Sequence, residues 1–213
     1  ATRKIFIAGD STVENWNRAG DRAGWGQMLQ KFCPPDVRVI NLAVGGRSTR
    51  SFVDEKRWEK LLAQLSPGDL VLIQFGHNDQ KKDSPERYAP ADGSYQEYLK
   101  RFIADVRERR GEVILCTPVA RRIFDGAKVR NTLGGYPEAV RKVGAETGTP
   151  VIDLYNATVA ALEKYGPEKS AELFYVTPEQ QPDRTHFNRA GAELVAGEVA
   201  RALKEKQLPA PRE

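Results

Sequence analysis

Five short apolar runs, at 4–8, 37–42, 70–75, 113–116 and 151–153, limit what this 213-residue chain can fold into. They are rich in Val, Ile, Leu and Phe and lack the polar alternation of a strand with one face in water. The segments between them read as helices at 24–32, 95–109 and 137–147, and another follows the last strand at 190–205. Leu99, Phe102, Ile103 and Val106 recur on one helical face. Pro137 suits a first helical turn, and Gly148 with Pro150 ends that helix. Apolar strands separated by helices predict a parallel sheet covered on both faces, hence one three-layer α/β/α domain over 1–213.

Composition narrows the function classes. With 40% hydrophobic and 29% charged residues, the chain can bury a core without disulfides or a structural metal. Lys and Arg exceed Asp and Glu by 33 to 29, but acids and bases alternate along stretches such as Asp54-Glu55-Lys56-Arg57. That pattern is a solvated helix face, and no nucleic-acid motif accompanies it. No apolar run approaches a membrane span. The expectation is a soluble protein that binds neither nucleic acid nor membrane, either cytoplasmic or secreted with its signal peptide already removed. Cys33 and Cys116 form no zinc or disulfide pattern, and the apolar neighbours of Cys116 predict an inert buried thiol.

Sites in parallel sheets form beyond the carboxyl ends of the strands. Gly9-Asp10-Ser11-Thr12 follows the first strand, Val44-Gly45-Gly46-Arg47-Ser48 the second, and Gly76-His77-Asn78-Asp79 the third. A serine hydroxyl attacks only when a base takes its proton. The chain has two histidines, and His186 has Asp183 three residues before it, close enough for one turn to set a carboxylate on the imidazole. Gly46, Asn78 and the Ser11 amide are candidate donors for an oxyanion. Structural roles are open to the same residues: Asp183 at a helix start or turn, His186 as a half-buried helix cap, the Gly-Gly pair as a tight turn.

Taken together, Gly9-Asp10-Ser11, Gly46, Gly76-His77-Asn78-Asp79 and Asp183-Arg184-Thr185-His186 resemble the four blocks of the SGNH (GDSL) hydrolase superfamily, in order. The resemblance makes Ser11 the nucleophile, Asp183 and His186 its acid and base, and the Ser11 amide, Gly46 and Asn78 the oxyanion hole. Gly45 is the alternative to Gly46, which is preferred because Gly-Arg-Ser is similar to the acetylesterase branch. Gly24-Trp25-Gly26-Gln27, Thr117-Pro118-Val119 and Thr185-His186-Phe187-Asn188 extend the similarity to rhamnogalacturonan acetylesterases nearly end to end. It implies a five-stranded flavodoxin-like sheet, no metal or organic cofactor, and an acetylated polysaccharide or oligosaccharide as substrate. The 131–137 loop departs from that branch, with Leu133 and Gly135 where a histidine and an aspartate often stand.

Arg47 and Arg121 are expected to pair with galacturonate carboxylates, and His77 either contacts substrate or shapes the Asn78 turn. Trp16, Trp25 and Trp58 are stacking candidates, Trp25 with a competing role at a helix start. Alternatives are an acetylxylan or general short-chain esterase, a metal-dependent deacetylase using His77, Asp79, Asp183 and His186, and a non-catalytic carbohydrate-binding module. The metal reading leaves the serine idle, and a binding module has no need of a Ser/Asp/His set.

Overall fold

A computed structural model describes residues 2–16 and 20–206, so the outer limits of the expected 1–213 domain lie outside the described residues. Its centre is a five-stranded sheet of β1 (Arg3–Gly9), β2 (Val37–Asn41), β3 (Leu70–Gln74), β4 (Glu112–Cys116) and, after the hairpin strands β5 (Phe124–Asp125) and β6 (Lys128–Val129), β7 (Val151–Ile152). All four pairings within the sheet are parallel, in the order β2-β1-β3-β4-β7. This is the doubly wound flavodoxin-like order, whose topological switch point lies beside β1 and β3.

The two-residue period of a strand explains why these runs are apolar throughout. Ile5, Ile7, Leu70, Leu72 and Ile114 bury one face under α1 (Trp25–Met28), α6 (Leu154–Tyr165) and α7 (Arg189–Glu205). Phe6, Ala8, Val71, Ile73 and Leu115 bury the other under α3 (Arg57–Leu62), α4 (Ser94–Glu108) and α5 (Tyr136–Thr147). No helix among the described residues is long and apolar enough to cross a membrane.

Three of the expected features take a different form. The expected helix at 24–32 is a single α turn followed by a 3₁₀ turn, Leu29–Phe32. Strand β7 stops at Ile152 because Asp153 turns to cap α6, its side chain accepting from the Asn156 N–H. His186 is no helix cap: it lies in β9 (Pro182–Phe187), which pairs antiparallel with β8 (Phe174–Val176), and the α7 cap is Asn188.

Candidate active site

The carboxyl ends of β1, β2 and β3 open into a cleft of about 500 Å³, and Ser11, Gly46, Asn78 and His186 line it. The turn carrying Ser11 is fixed from below. Asp10, fully buried, accepts from the Thr12 backbone N–H and hydroxyl at 2.9 and 2.7 Å. Gln74, at the end of β3, donates to the Thr12 hydroxyl and accepts from the Trp25 indole, joining β3 and α1 to the turn. The segment Gly24-Trp25-Gly26 lies directly against the turn, donating its backbone N–H groups to Glu14, Thr12 and Val13. A Cβ on Gly24 would come within 2.2 Å of the Val13 carbonyl carbon, so only glycine permits this contact.

His186 reaches Ser11 from the opposite wall, with Nε2 2.8 Å from Ser11 Oγ. Its Nδ1 lies 3.2 Å from Asp183 Oδ2, while Asp183 Oδ1 accepts from the backbone N–H groups of Thr185 and His186. Burial pushes the Asp183 carboxyl up, but the His186 ring and the two backbone donors outweigh it and hold the group well below the usual carboxylate range. Asn188 anchors this wall: its side chain caps α7 and donates to the carbonyls of Glu172 and Phe174. The Phe174 and Phe187 rings pack 5.1 Å apart behind it.

The glycine pair forms a β-turn closed by the Arg47 N–H on the Val44 carbonyl, with Gly46 at φ 78°, a conformation that favours glycine. Both of its peptides are held. Glu14 Oε2 accepts from the Gly45 N–H at 2.9 Å, and Arg47 Nη1 donates to the Gly45 carbonyl at 2.8 Å. Because a trans peptide points its C=O and N–H in opposite directions, gripping the Gly45 carbonyl also fixes the Gly46 N–H. No hydrogen bond among the described residues uses that N–H. Asn78 is buried and similarly fixed: Nδ2 donates to the Arg47 carbonyl and Oδ1 accepts from Arg87 Nη1, leaving one amide hydrogen unused.

Of the residues expected to meet substrate, Arg47 lines the cleft, but its guanidinium is also held by Glu55 at 2.8 Å. Arg121 and His77 are not among the lining residues. Arg121 donates to the carbonyl and hydroxyl of Thr132, and His77 is buried with Nδ1 3.5 Å from Asp10 Oδ2. Trp16 lines the cleft, its indole donating to the Ser11 carbonyl. Trp25 and Trp58 are completely buried, so neither is a stacking surface. The thiol of Cys116 is buried too, its pKa pushed up to about 12. The alternative ligand set is dispersed: His77 faces Asp10, Asp79 faces Thr49, and Asp183 faces His186. Sequence reasoning missed Glu14, Arg22, Lys81 and Arg87 as cleft residues. Lys81 and Arg87 follow the same strand end as Asn78, which was the available signal.

Asp79 ties this layer together by accepting from the Thr49 backbone N–H and hydroxyl at the start of α2 (Thr49–Asp54). Burial is the largest influence on its carboxyl and, helped by Asp10, outweighs these donors, raising its pKa from 3.8 to about 8. A raised value stabilises the fold fully at acid pH and is lost as pH climbs towards 8, since the unfolded chain releases this proton first. Asp79→Asn imitates the neutral acid. It is expected to flatten the fall in Tm between about pH 4 and about pH 8, and parallel Tm profiles for the two proteins would show Asp79 ionised in the fold.

The chain is similar to known proteins in sequence and in fold. Residues 7–194 match the GDSL-like Lipase/Acylhydrolase family. The chain is 38% identical to the probable rhamnogalacturonan acetylesterase YesY of Bacillus subtilis (strain 168), across 96% of this chain and 94% of that protein. It is 39% identical to the rhamnogalacturonan acetylesterase RhgT of the same organism, across 97% and 91%. The crystal structure of YxiM from Bacillus subtilis superposes with a TM-score of 0.86 at 30% identity, over 97% of this chain and 57% of that one. The acetylxylan esterase Axe2 from Geobacillus stearothermophilus shares the fold at 21% identity, with a TM-score of 0.72 over 99% and 97% of the two chains. By sequence and by the placement of its strand-end motifs, the chain belongs to the GDSL-like lipase/acylhydrolase family.

Proposed function

We propose that this protein is a carbohydrate acetylesterase acting on acetylated rhamnogalacturonan through an acetyl-enzyme on Ser11. The observation that carries the reading is the unbroken contact from Ser11 Oγ through His186 to Asp183 at the floor of an open cleft. Full-length similarity to two proteins named as rhamnogalacturonan acetylesterases, one of them as probable, supports the substrate.

The ring proton of His186 sits on Nδ1, facing the Asp183 carboxylate, so Nε2 accepts the Ser11 proton as Oγ attacks the acetyl carbonyl carbon. The carbonyl oxygen takes up negative charge, met by the N–H groups of Ser11 and Gly46 and the free amide hydrogen of Asn78. Glu14 and Arg47 keep the Gly46 donor aimed before substrate arrives, so no reorganisation is needed during reaction. The bond to the sugar oxygen then breaks, and His186 returns its proton to that oxygen as the sugar leaves. Water, deprotonated by His186, attacks the acetyl-enzyme, releasing acetate and restoring the Ser11 hydroxyl.

A hydrolysis screen tests the reading. Acetyl esters should be cleaved, with rates falling steeply as the acyl chain lengthens, because the cleft is lined largely by glycine, polar and charged residues. Acetylated rhamnogalacturonan should exceed acetylated xylan in kcat/KM. Equal efficiency on both would retain the esterase and remove the pectin assignment.

A further inference from the structure

The cleft carries more positive charge than a neutral acetyl group requires. Arg22, Arg47, Lys81 and Arg87 line it against a single carboxylate, Glu14. Most of these charges are engaged. Glu14 holds the Gly45 N–H, Arg47 is paired with Glu55, and the Arg22 guanidinium lies 3.6 Å over the Trp16 ring. Arg87 is spread between the Ser84 hydroxyl, Asn78 Oδ1 and, at 3.8 Å, Glu86. Of the four side chains, only the Lys81 ammonium has no hydrogen bond, ion pair or ring contact within the described residues. It is also partly buried, and burial, then repulsion from Arg87 and Arg121, lowers its pKa. Asp10 and Asp83 offset only part of this, so a partly desolvated ammonium repelled by two guanidinium groups gains from an anion that joins it.

The reacting ester supplies no such anion before attack, so the charge is directed at the sugar side of the substrate. We propose that Lys81 forms a subsite for the carboxylate of a uronate unit in the acetylated chain, making Lys81 a specificity-determining residue. This rests on the esterase reading of the cleft and extends it from the acyl group to the sugar. It also places carboxylate recognition on the loop after β3, where Lys81 is unpaired, instead of on Arg47 or Arg121, which already hold protein groups. Lysine acts here as a point charge, so the subsite reads charge more than the fixed geometry of two parallel hydrogen bonds.

The test compares wild type with Lys81→Gln and Lys81→Glu on three substrates: acetylated rhamnogalacturonan oligomers, the same oligomers with their carboxyls methyl-esterified, and a neutral aryl acetate. Lys81→Gln should raise KM for the acidic oligomers about tenfold with kcat nearly unchanged, the scale of one charge-assisted contact. Lys81→Glu should raise it further, and neither variant should alter kcat/KM on the two neutral substrates beyond about twofold. Added salt should weaken wild-type binding of the acidic oligomers selectively. A non-acetylated galacturonate oligomer, used as a competitor of aryl acetate hydrolysis, reads the subsite without turnover, and its Ki should rise about tenfold in Lys81→Gln. Wild-type turnover of the pectic oligomers tests the substrate reading, whereas the acid-to-methyl-ester ratio and the competitor Ki test the subsite. An unchanged Ki and ratio in both variants, or an equal loss on the neutral aryl acetate, would overturn the proposal.

Discussion

Ser11→Ala should lower kcat by roughly 10⁴- to 10⁶-fold while leaving the fold and substrate affinity intact. The Ser11 hydroxyl is held by His186 and not by the core, whereas the turn around it is fixed by Asp10, Thr12, Gln74 and Gly24 through groups the substitution leaves in place. Alanine keeps the backbone N–H offered to the oxyanion, so the residual rate measures the donors acting without a nucleophile. Circular dichroism and Tm should match wild type. Activity within tenfold of wild type on acetyl esters would transfer the chemistry to another group.

Asp183→Asn should cost about 10⁴-fold in kcat, the scale seen when the acid of a serine triad becomes an amide. Asparagine retains an oxygen to accept from the Thr185 and His186 N–H groups, at 2.6 and 2.8 Å in the native turn, so the segment should keep its shape. Its amide nitrogen would then face His186 Nδ1. A donor at that position forces Nδ1 to accept and moves the ring proton to Nε2, where it faces Ser11. In that tautomer the ring cannot take the serine proton. Steady-state kinetics with KM near wild type would confirm the effect, and a loss below tenfold would show that Asp183 does not set the tautomer.

Much of this was legible because a parallel sheet gathers its strand ends. Once the apolar runs were read as buried parallel strands, Ser11, Gly46 and Asn78 had to approach one edge whatever their separation in sequence. Asp183 and His186 were legible as a pair by spacing, but not as a strand, since β9 begins with Pro182 and is largely polar. Helix α6 escaped because its buried residues are Leu154, Thr158 and Leu162, and the central one is a threonine donating to the Leu154 carbonyl. The six-residue helices α2 and α3 are too short to show a period, and α2 buries Thr49 and Ser51 beside Phe52.

Finer features of the site depend on long-range choices that sequence spacing does not encode. Gly45 and Gly46 are equivalent on paper. They differ because Glu14 folds back onto the Gly45 N–H while Gly46 takes the positive φ of the turn. Trp58 looked available for sugar stacking, yet its ring packs 4.3 Å from Phe102 and its indole donates to Asp105. In the loop holding Lys81, Lys82, Asp83, Glu86 and Arg87, mixed charge conceals which cations turn inward, and only the packed loop singles out Lys81 and Arg87.

Whether Ser11 accepts the acyl group, activated by His186 and Asp183, is read by treating the protein with a serine-directed organophosphonate and locating the adduct by peptide mass spectrometry. One adduct per chain is expected, on Ser11, formed in step with loss of esterase activity and strongly slowed in Asp183→Asn. Full inactivation with the adduct elsewhere, or retained activity with Ser11 fully labelled, would contradict that role.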